Sequence, residues 1–255
     1  MHLPEIDKYS HLDSPLHKWD PRLKIVCITC LIFSIVFISN FSIAILGLLF
    51  SIILVFISKI PFSFVLKHLK WVFFFVSFFL LIMPLSVPGN EIVRFHCFRI
   101  SYEGVRYGFL ISIKAISAVL LIFPMMGTMP FPITIKTLER LKIPKRMVQL
   151  IMFTYRYIFL FIDEAQKMFV AMQSRGFKKK TNLHTFRTIG KLVGMLFVRS
   201  YERTEGIYQA MISRGYNGDF KYLEERELKI CAKDILKAIM LEIMAIGIII
   251  LEIIK

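Results

Sequence analysis

Residues 25 to 58 contain no charged side chain, and nowhere does the chain carry the Gly-x-x-x-x-Gly-Lys-[Ser/Thr] loop that cradles nucleotide phosphates. The first absence excludes an ordinary solvated domain over that stretch. The second excludes an ATPase with a phosphate site of its own. Cysteine is scarce, four in 255 residues. Cys27 and Cys30 form a C-x-x-C within an apolar run, while Cys97 and Cys231 stand alone, so there is no second pair to complete a zinc site, and the thiols are read as lipid-buried. The first 20 residues, "MHLPEIDKYSHLDSPLHKWD", lack the basic start, short apolar run and small-residue cleavage site of a signal peptide, and are expected to be retained. Acidic residues are also few, 18 against 33 Lys and Arg, giving a net charge of +15.

Apolar residues make up 56% of the chain, with 25 Phe, more apolar surface than a soluble core of this length could bury. An integral membrane protein follows. The 34 uncharged residues from 25 to 58 would reach roughly 50 Å as one helix, beyond a hydrocarbon layer of roughly 30 Å. The run must therefore fold back, and "SNFS" at 39–42 marks the turn between two short helices. A third span covers 71–88, opened by Lys67 and Lys70 and closed by "PGN". A short polar connection fills 91–102. The fourth span runs from about 104 to 129 and contains Lys114; the fifth occupies about 235–254 and contains Glu242.

Charge placement gives an expected orientation. Residues 131–229 hold 19 Lys and Arg against 9 Asp and Glu, which puts that segment in the cytoplasm. Lys18, Arg22 and Lys24 beside the first span place the N-terminus there too, and five spans put Lys255 outside. The expected fold class is all-α: a polytopic membrane protein of about five transmembrane helices with long cytoplasmic amphipathic helices. Three regions are expected, 1–129 with four spans, 130–229 cytoplasmic, and 230–255 with the last span. Within the cytoplasmic region, "KTLERLKIPKRMVQ" reads as a short helix, a break at Pro144 and a new helix start. The new helix continues through "LIMFTYRYIFLFIDEAQKMFVAMQSRG". Its apolar part is too short and, with Arg156, too charged to span, so it is expected to skim the interface. Another helix covers about 185–214, with Phe186, Ile189, Val193, Leu196, Ile207 and Met211 on one face and Arg187, Lys191, Arg199 and Arg203 on another.

Both long helices end alike. "AMQSRGF" at 171–177 returns as "AMISRGY" at 210–216. Gly176 and Gly215 fit the position just past a helix end, where a left-handed backbone closes the last turn. Phe177 and Tyr216 can then fold back. Arg175 and Arg214 fall in the final turn, favoured there by the helix dipole and able to project beyond it. One copy would be an ordinary helix end. Two copies, matching at Ala171 and Ala210, Ser174 and Ser213, Arg, Gly and an aromatic, point to two equivalent docking points for two copies of a partner, with each guanidinium as anchor.

These motifs, with "SPLHKWDPRLK" before the first span and "LERLKIPKRMVQLIMFTYRYIFLFIDEAQK" before the first copy, resemble the transmembrane T component of energy-coupling factor transporters, and most nearly its cobalt/nickel branch, the CbiQ family. The resemblance runs from the N-terminus to about Gly218. It implies a non-catalytic helical scaffold of the cell membrane, without cofactors, whose two coupling helices dock by Ala-Arg-Gly-type ends into grooves on two ABC ATPase subunits. It assigns that docking to Ala171, Ser174, Arg175 and Gly176 and to Ala210, Ser213, Arg214 and Gly215. It further implies a substrate-binding membrane subunit as partner, the lipid bilayer as surroundings and no nucleic acid, with cobalt or nickel as cargo. Ser174 and Ser213 stand where the family often has Ala, Lys114 where an Arg is common, and "NGDFKYLEERE" follows the second copy. A general vitamin-type T component and a basic membrane-surface anchor remain as alternatives.

Other constellations carry less. Asp163 and Glu164 balance nearby cations, and Glu202, Arg203 and Glu205 form a solvated or pairing face. Lys114 and Glu242 are expected at membrane depth, where an unpartnered charge is costly, and form a candidate pair beside other partners or protonation. Met1 and His2, with His11 and His17 nearby, could chelate a divalent metal, but the expected orientation puts them on the wrong side for capture. No metal ligand is assigned.

Overall fold

The computed structural model describes residues 12–88, 91–95, 98–216 and 232–254. Two compact units divide it, Met1–Ile143 with Leu228–Lys255, and Pro144–Glu227.

In the first unit α1 (Pro21–Phe37) starts where Asp20 accepts a hydrogen bond from the Arg22 amide at 2.8 Å and Pro21 takes the first helical position, which needs no amide donor. It stops at Phe37, and α2 (Phe41–Ser58) begins after the turn the sequence marks. Lys59 closes α2 in the left-handed conformation, φ 57°, and α3 (Phe62–Ser86) follows at once. α3 begins nine residues before the expected 71, so Lys67 and Lys70 lie inside the helix rather than ahead of it. The connection after it is a β-hairpin, β1 (Glu91–Phe95) with antiparallel β2 (Phe98–Ser101), a departure from a purely α-helical chain. α4 (Tyr102–Met126) is capped by Ser101, whose hydroxyl accepts from the Gly104 amide at 3.0 Å and donates to the Val87 carbonyl at 2.6 Å. That clamp brings α3 and α4 so close that a Cβ at Gly104 would stand 2.6 Å from the Met83 carbonyl oxygen. α5 (Phe131–Arg140) and α8 (Ala232–Ile254) complete the unit.

Three helices, α2, α3 and α4, are long and apolar enough to cross a membrane. The chain is thus a multi-pass membrane protein, predominantly α-helical. At 1.5 Å per residue α1 and α2 are about 25 and 27 Å long, whereas α3 and α4 are about 37 Å. The core joins Trp19, Ile28, Leu31 and Ile35 to Ala238, Leu241 and Ala245 of α8, with Leu121 of α4 closing it. A second cluster packs Val55 and Ile60 against Val65, Leu69 and Leu120. Outward from α3 stand Trp71, Phe74 and Phe78, between 61% and 79% exposed, as suits a surface whose solvent is hydrocarbon or another membrane helix.

The charges of this unit find partners that spacing did not foretell. Lys24, counted above as a cytoplasmic charge, is fully buried, and its ammonium donates to Thr128 Oγ1 at 2.7 Å. Lys114 Nζ donates to the Val36 carbonyl at 2.8 Å, one of the carbonyls that the end of α1 leaves without a helical partner. Glu252 of α8 accepts from the Ser39 and Asn40 amides at 2.8 and 3.3 Å, at the start of α2, where Asn40 makes no side-chain cap of its own. The α1–α2 turn is therefore capped at both ends from other helices. Among the described residues no ion pair joins Lys114 to Glu242. The Lys114 ammonium is instead engaged by the end of α1.

The second unit is a pair of long helices, α6 (Lys145–Ser174) and α7 (Leu183–Ser213), which pack on each other. Pro144 caps the first, and Asn182 caps the second by accepting from the Thr185 amide at 3.1 Å. A salt bridge between Arg199 and Glu164 ties the two.

Candidate functional site

The two Arg-Gly copies close α6 and α7 by the same hydrogen bonds. The Gly176 amide donates to Gln173 O at 2.9 Å and the Phe177 amide to Met172 O at 3.1 Å; the Gly215 amide donates to Ile212 O at 2.8 Å and the Tyr216 amide to Met211 O at 3.0 Å. This is the double closure that uses a left-handed residue after the helix cap. Both glycines supply it, at φ 85° and 81°. A Cβ would meet no neighbour at either position, so backbone conformation alone calls for Gly there.

The side chains follow from that closure. Phe177 and Tyr216 turn back and are half-buried, Phe177 with its ring edge on Phe169 at 6.3 Å between centroids. Lys179 Nζ stands 4.6 Å over the same Phe169 ring. Arg175 and Arg214 are exposed, and among the described residues the guanidinium of neither takes a hydrogen bond or an ion pair. Each guanidinium keeps five donors for an external acceptor. Ser174 Oγ donates to Val170 O at 3.1 Å and Ser213 Oγ to Gln209 O at 2.9 Å, so each hydroxyl is taken up by its own helix and presents a small surface, much as Ala would. Ala171 and Ala210 are exposed one turn before the arginines.

The apolar stripe of α7 divides. Leu196, Ile207 and Met211 are half-buried, while Phe186, Ile189 and Val193 are exposed, with Phe186 at 67%. Sequence periodicity identified the stripe but not which part of it the chain covers by itself. Of the paired acids, Glu164 holds Arg199 across the helix pair, and Glu205 accepts from Gln209 Nε2 at 2.9 Å on its own helix. Met1, His2 and His11 lie outside the described residues; His17 Nδ1 is 2.6 Å from Ser14 Oγ. Among the described residues no cluster of three His, Cys, Asp or Glu side chains is placed to hold a metal ion.

Comparison with known proteins gives a consistent set of relatives. The CbiQ profile, described as cobalt transport protein, matches residues 13–223. The energy-coupling factor transporter transmembrane protein EcfT of Bacillus subtilis is 31% identical over 242 residues, covering 90% of this chain and 91% of that one. EcfT of Staphylococcus aureus is 28% identical and covers 97% and 96%. An uncharacterized protein of Methanocaldococcus jannaschii is 28% identical over 90% of this chain and 80% of its own length.

Proposed function

Because the chain belongs to the CbiQ family of cobalt transport proteins, we propose that it serves as the transmembrane T component of an energy-coupling factor ABC importer, the scaffold that couples ATP hydrolysis by partner subunits to uptake. It carries no catalytic site of its own. The observation that carries the reading at the level of residues is the matched pair of helix ends, each closed by a left-handed glycine and each presenting a guanidinium with no partner among the described residues.

In this reading Ala171, Ser174, Arg175 and Gly176 dock in a groove on one ABC ATPase, and Ala210, Ser213, Arg214 and Gly215 in the same groove on a second. Small residues before each Arg let the helix end approach closely, and the planar guanidinium takes two acceptors at once. When ATP draws the ATPases together, the two ends are carried with them. The apolar faces of α6 and α7 transmit that motion to a substrate-binding membrane subunit. The membrane part contributes five spans, α1 and α8 joining α2, α3 and α4. The basic region lies in the cytoplasm, following the excess of Lys and Arg between the fourth and fifth spans. Cobalt, or nickel, is the cargo that the family description favours. The full-length likeness to EcfT proteins supports a second reading, a general T component that serves several capture subunits, vitamin-binding ones included.

The test is co-purification. Arg175→Glu/Arg214→Glu is expected to lose both ATPases and all transport, and retention of both with normal uptake would overturn the docking assignment. Replacing both arginines by Lys separates groove from surface: a basic lipid anchor keeps its function with Lys, whereas a bidentate groove loses it. The capture subunit that co-purifies with the unaltered complex, and the metal or vitamin it holds, decides the cargo.

A further inference from the structure

In the membrane unit, the segment before α1 and the facing sides of α2 and α8 leave a cleft of about 230 Å³. Leu54 and Ile57 of α2 form one wall, Met240 and Met244 of α8 the other, and Trp19 the floor. The Trp19 indole donates to the Asp234 carbonyl at 3.1 Å, so its one polar atom is satisfied within the protein. Lys237 is the one charged residue in the lining. Its ammonium lies 3.3 Å from the Asp234 carboxylate, which engages one of its three donors. Lys59 and Lys233 are exposed, each within four residues of a lining residue, and so is Lys18, whose ammonium lies 3.4 Å from the Asp13 carboxylate.

Three physical points identify the occupant. A cleft walled by apolar side chains offers water too few polar partners to hold it and suits a hydrocarbon ligand. A partner helix, about 10 Å across, is too thick for so small a volume, whereas a single acyl chain fits, and the flexible methionines can close on it. Four lysines against the two carboxylates they pair with, Asp13 and Asp234, leave a net positive rim, which matches a phosphate and does not match a neutral or cationic headgroup. We propose that the cleft between α2 and α8 binds one acyl chain of an anionic phospholipid, with its phosphate held by Lys237 and the neighbouring lysines. The site is separate from the two docking ends and does not depend on the cargo.

Native mass spectrometry of the full chain, released from mild detergent after addition of phosphatidylglycerol or phosphatidylcholine with matched chains, tests this directly. One retained phosphatidylglycerol is expected, preferred about fivefold or more over phosphatidylcholine, the factor corresponding to one lysine contact at a lipid surface. Met244→Trp, which fills the cleft, is expected to abolish retention, while Met240→Leu, similar in volume, keeps it. Lys237→Gln is expected to remove the preference but not the chain binding. Equal retention of the two lipids by the unaltered protein, or an unchanged adduct in a Met244→Trp protein with an unaltered melting temperature, would overturn the proposal. If Met244→Trp unfolds the protein, Leu54→Phe gives the same test from the opposite wall.

Discussion

Gly176 and Gly215 allow shape and charge to be separated at the two helix ends proposed to dock, since neither has a neighbour that a methyl group would strike. Ala at either position keeps Arg175 or Arg214 but forces an L residue into the left-handed region, at a cost of roughly 1 kcal/mol. Each single variant is expected to bind one ATPase less tightly by about fivefold to tenfold, read by titrating purified ATPase onto the reconstituted scaffold. Unchanged affinity would mean that the guanidinium alone sets the contact. These glycines were legible in the sequence because a left-handed cap leaves a residue signature. Ser174 and Ser213 were only partly legible. Their hydroxyls could have faced a partner, and three-dimensional structure was needed to find each one bonded to the carbonyl four residues back. The partners of Lys114 and Glu252 were not legible, because they depend on which helices are neighbours: α4 lies beside the end of α1, and α8 reaches the start of α2.

At the scale of elements, the α1–α2 turn rests on two borrowed caps. Lys114→Met leaves the Val36 carbonyl without its donor, and Glu252→Gln weakens the hold on the Ser39 and Asn40 amides. Each change removes or weakens a cap on backbone groups that the turn leaves unpaired, so each is expected to lower the thermal midpoint. Thermal unfolding in detergent, followed by loss of the monodisperse size-exclusion peak, reads the effect. An unchanged midpoint for Lys114→Met would show that the turn does not need this cap. Turn residues marked the break between α1 and α2 in the sequence, and Pro144 marked the start of α6. The hairpin Glu91–Ser101 was missed, although "EIVRFHCFRIS" is rich in β-branched and aromatic residues, because its charges made it read as a loop. The early start of α3 was missed because Lys67 and Lys70 were taken as boundary charges, whereas long lysine stems can lie along a helix and reach the interface.

For the whole molecule, the class of a multi-pass, predominantly helical membrane protein was legible from uncharged runs, since these are a property of composition along the chain. The number of spans was less so: α1 has 17 residues, and among the described residues α2, α3 and α4 are the helices long and apolar enough to cross. That inequality has a bearing on the lipid around the protein. A 25 Å helix beside a 37 Å one meets a single bilayer by tilt of the longer pair and by thinning of the hydrocarbon over the shorter, at a fraction of a kcal/mol per Å. Transport by the reconstituted complex is therefore expected to fall as acyl chains lengthen from 14 to about 22 carbons, measured as initial uptake at constant protein orientation, and a flat profile would count against the effect. The short α1–α2 hairpin thus makes the scaffold a local sculptor of its membrane: elastic tension gathers on the α1–α2 side, and a companion protein with a short hydrophobic belt would be drawn to that dimple before touching a single side chain.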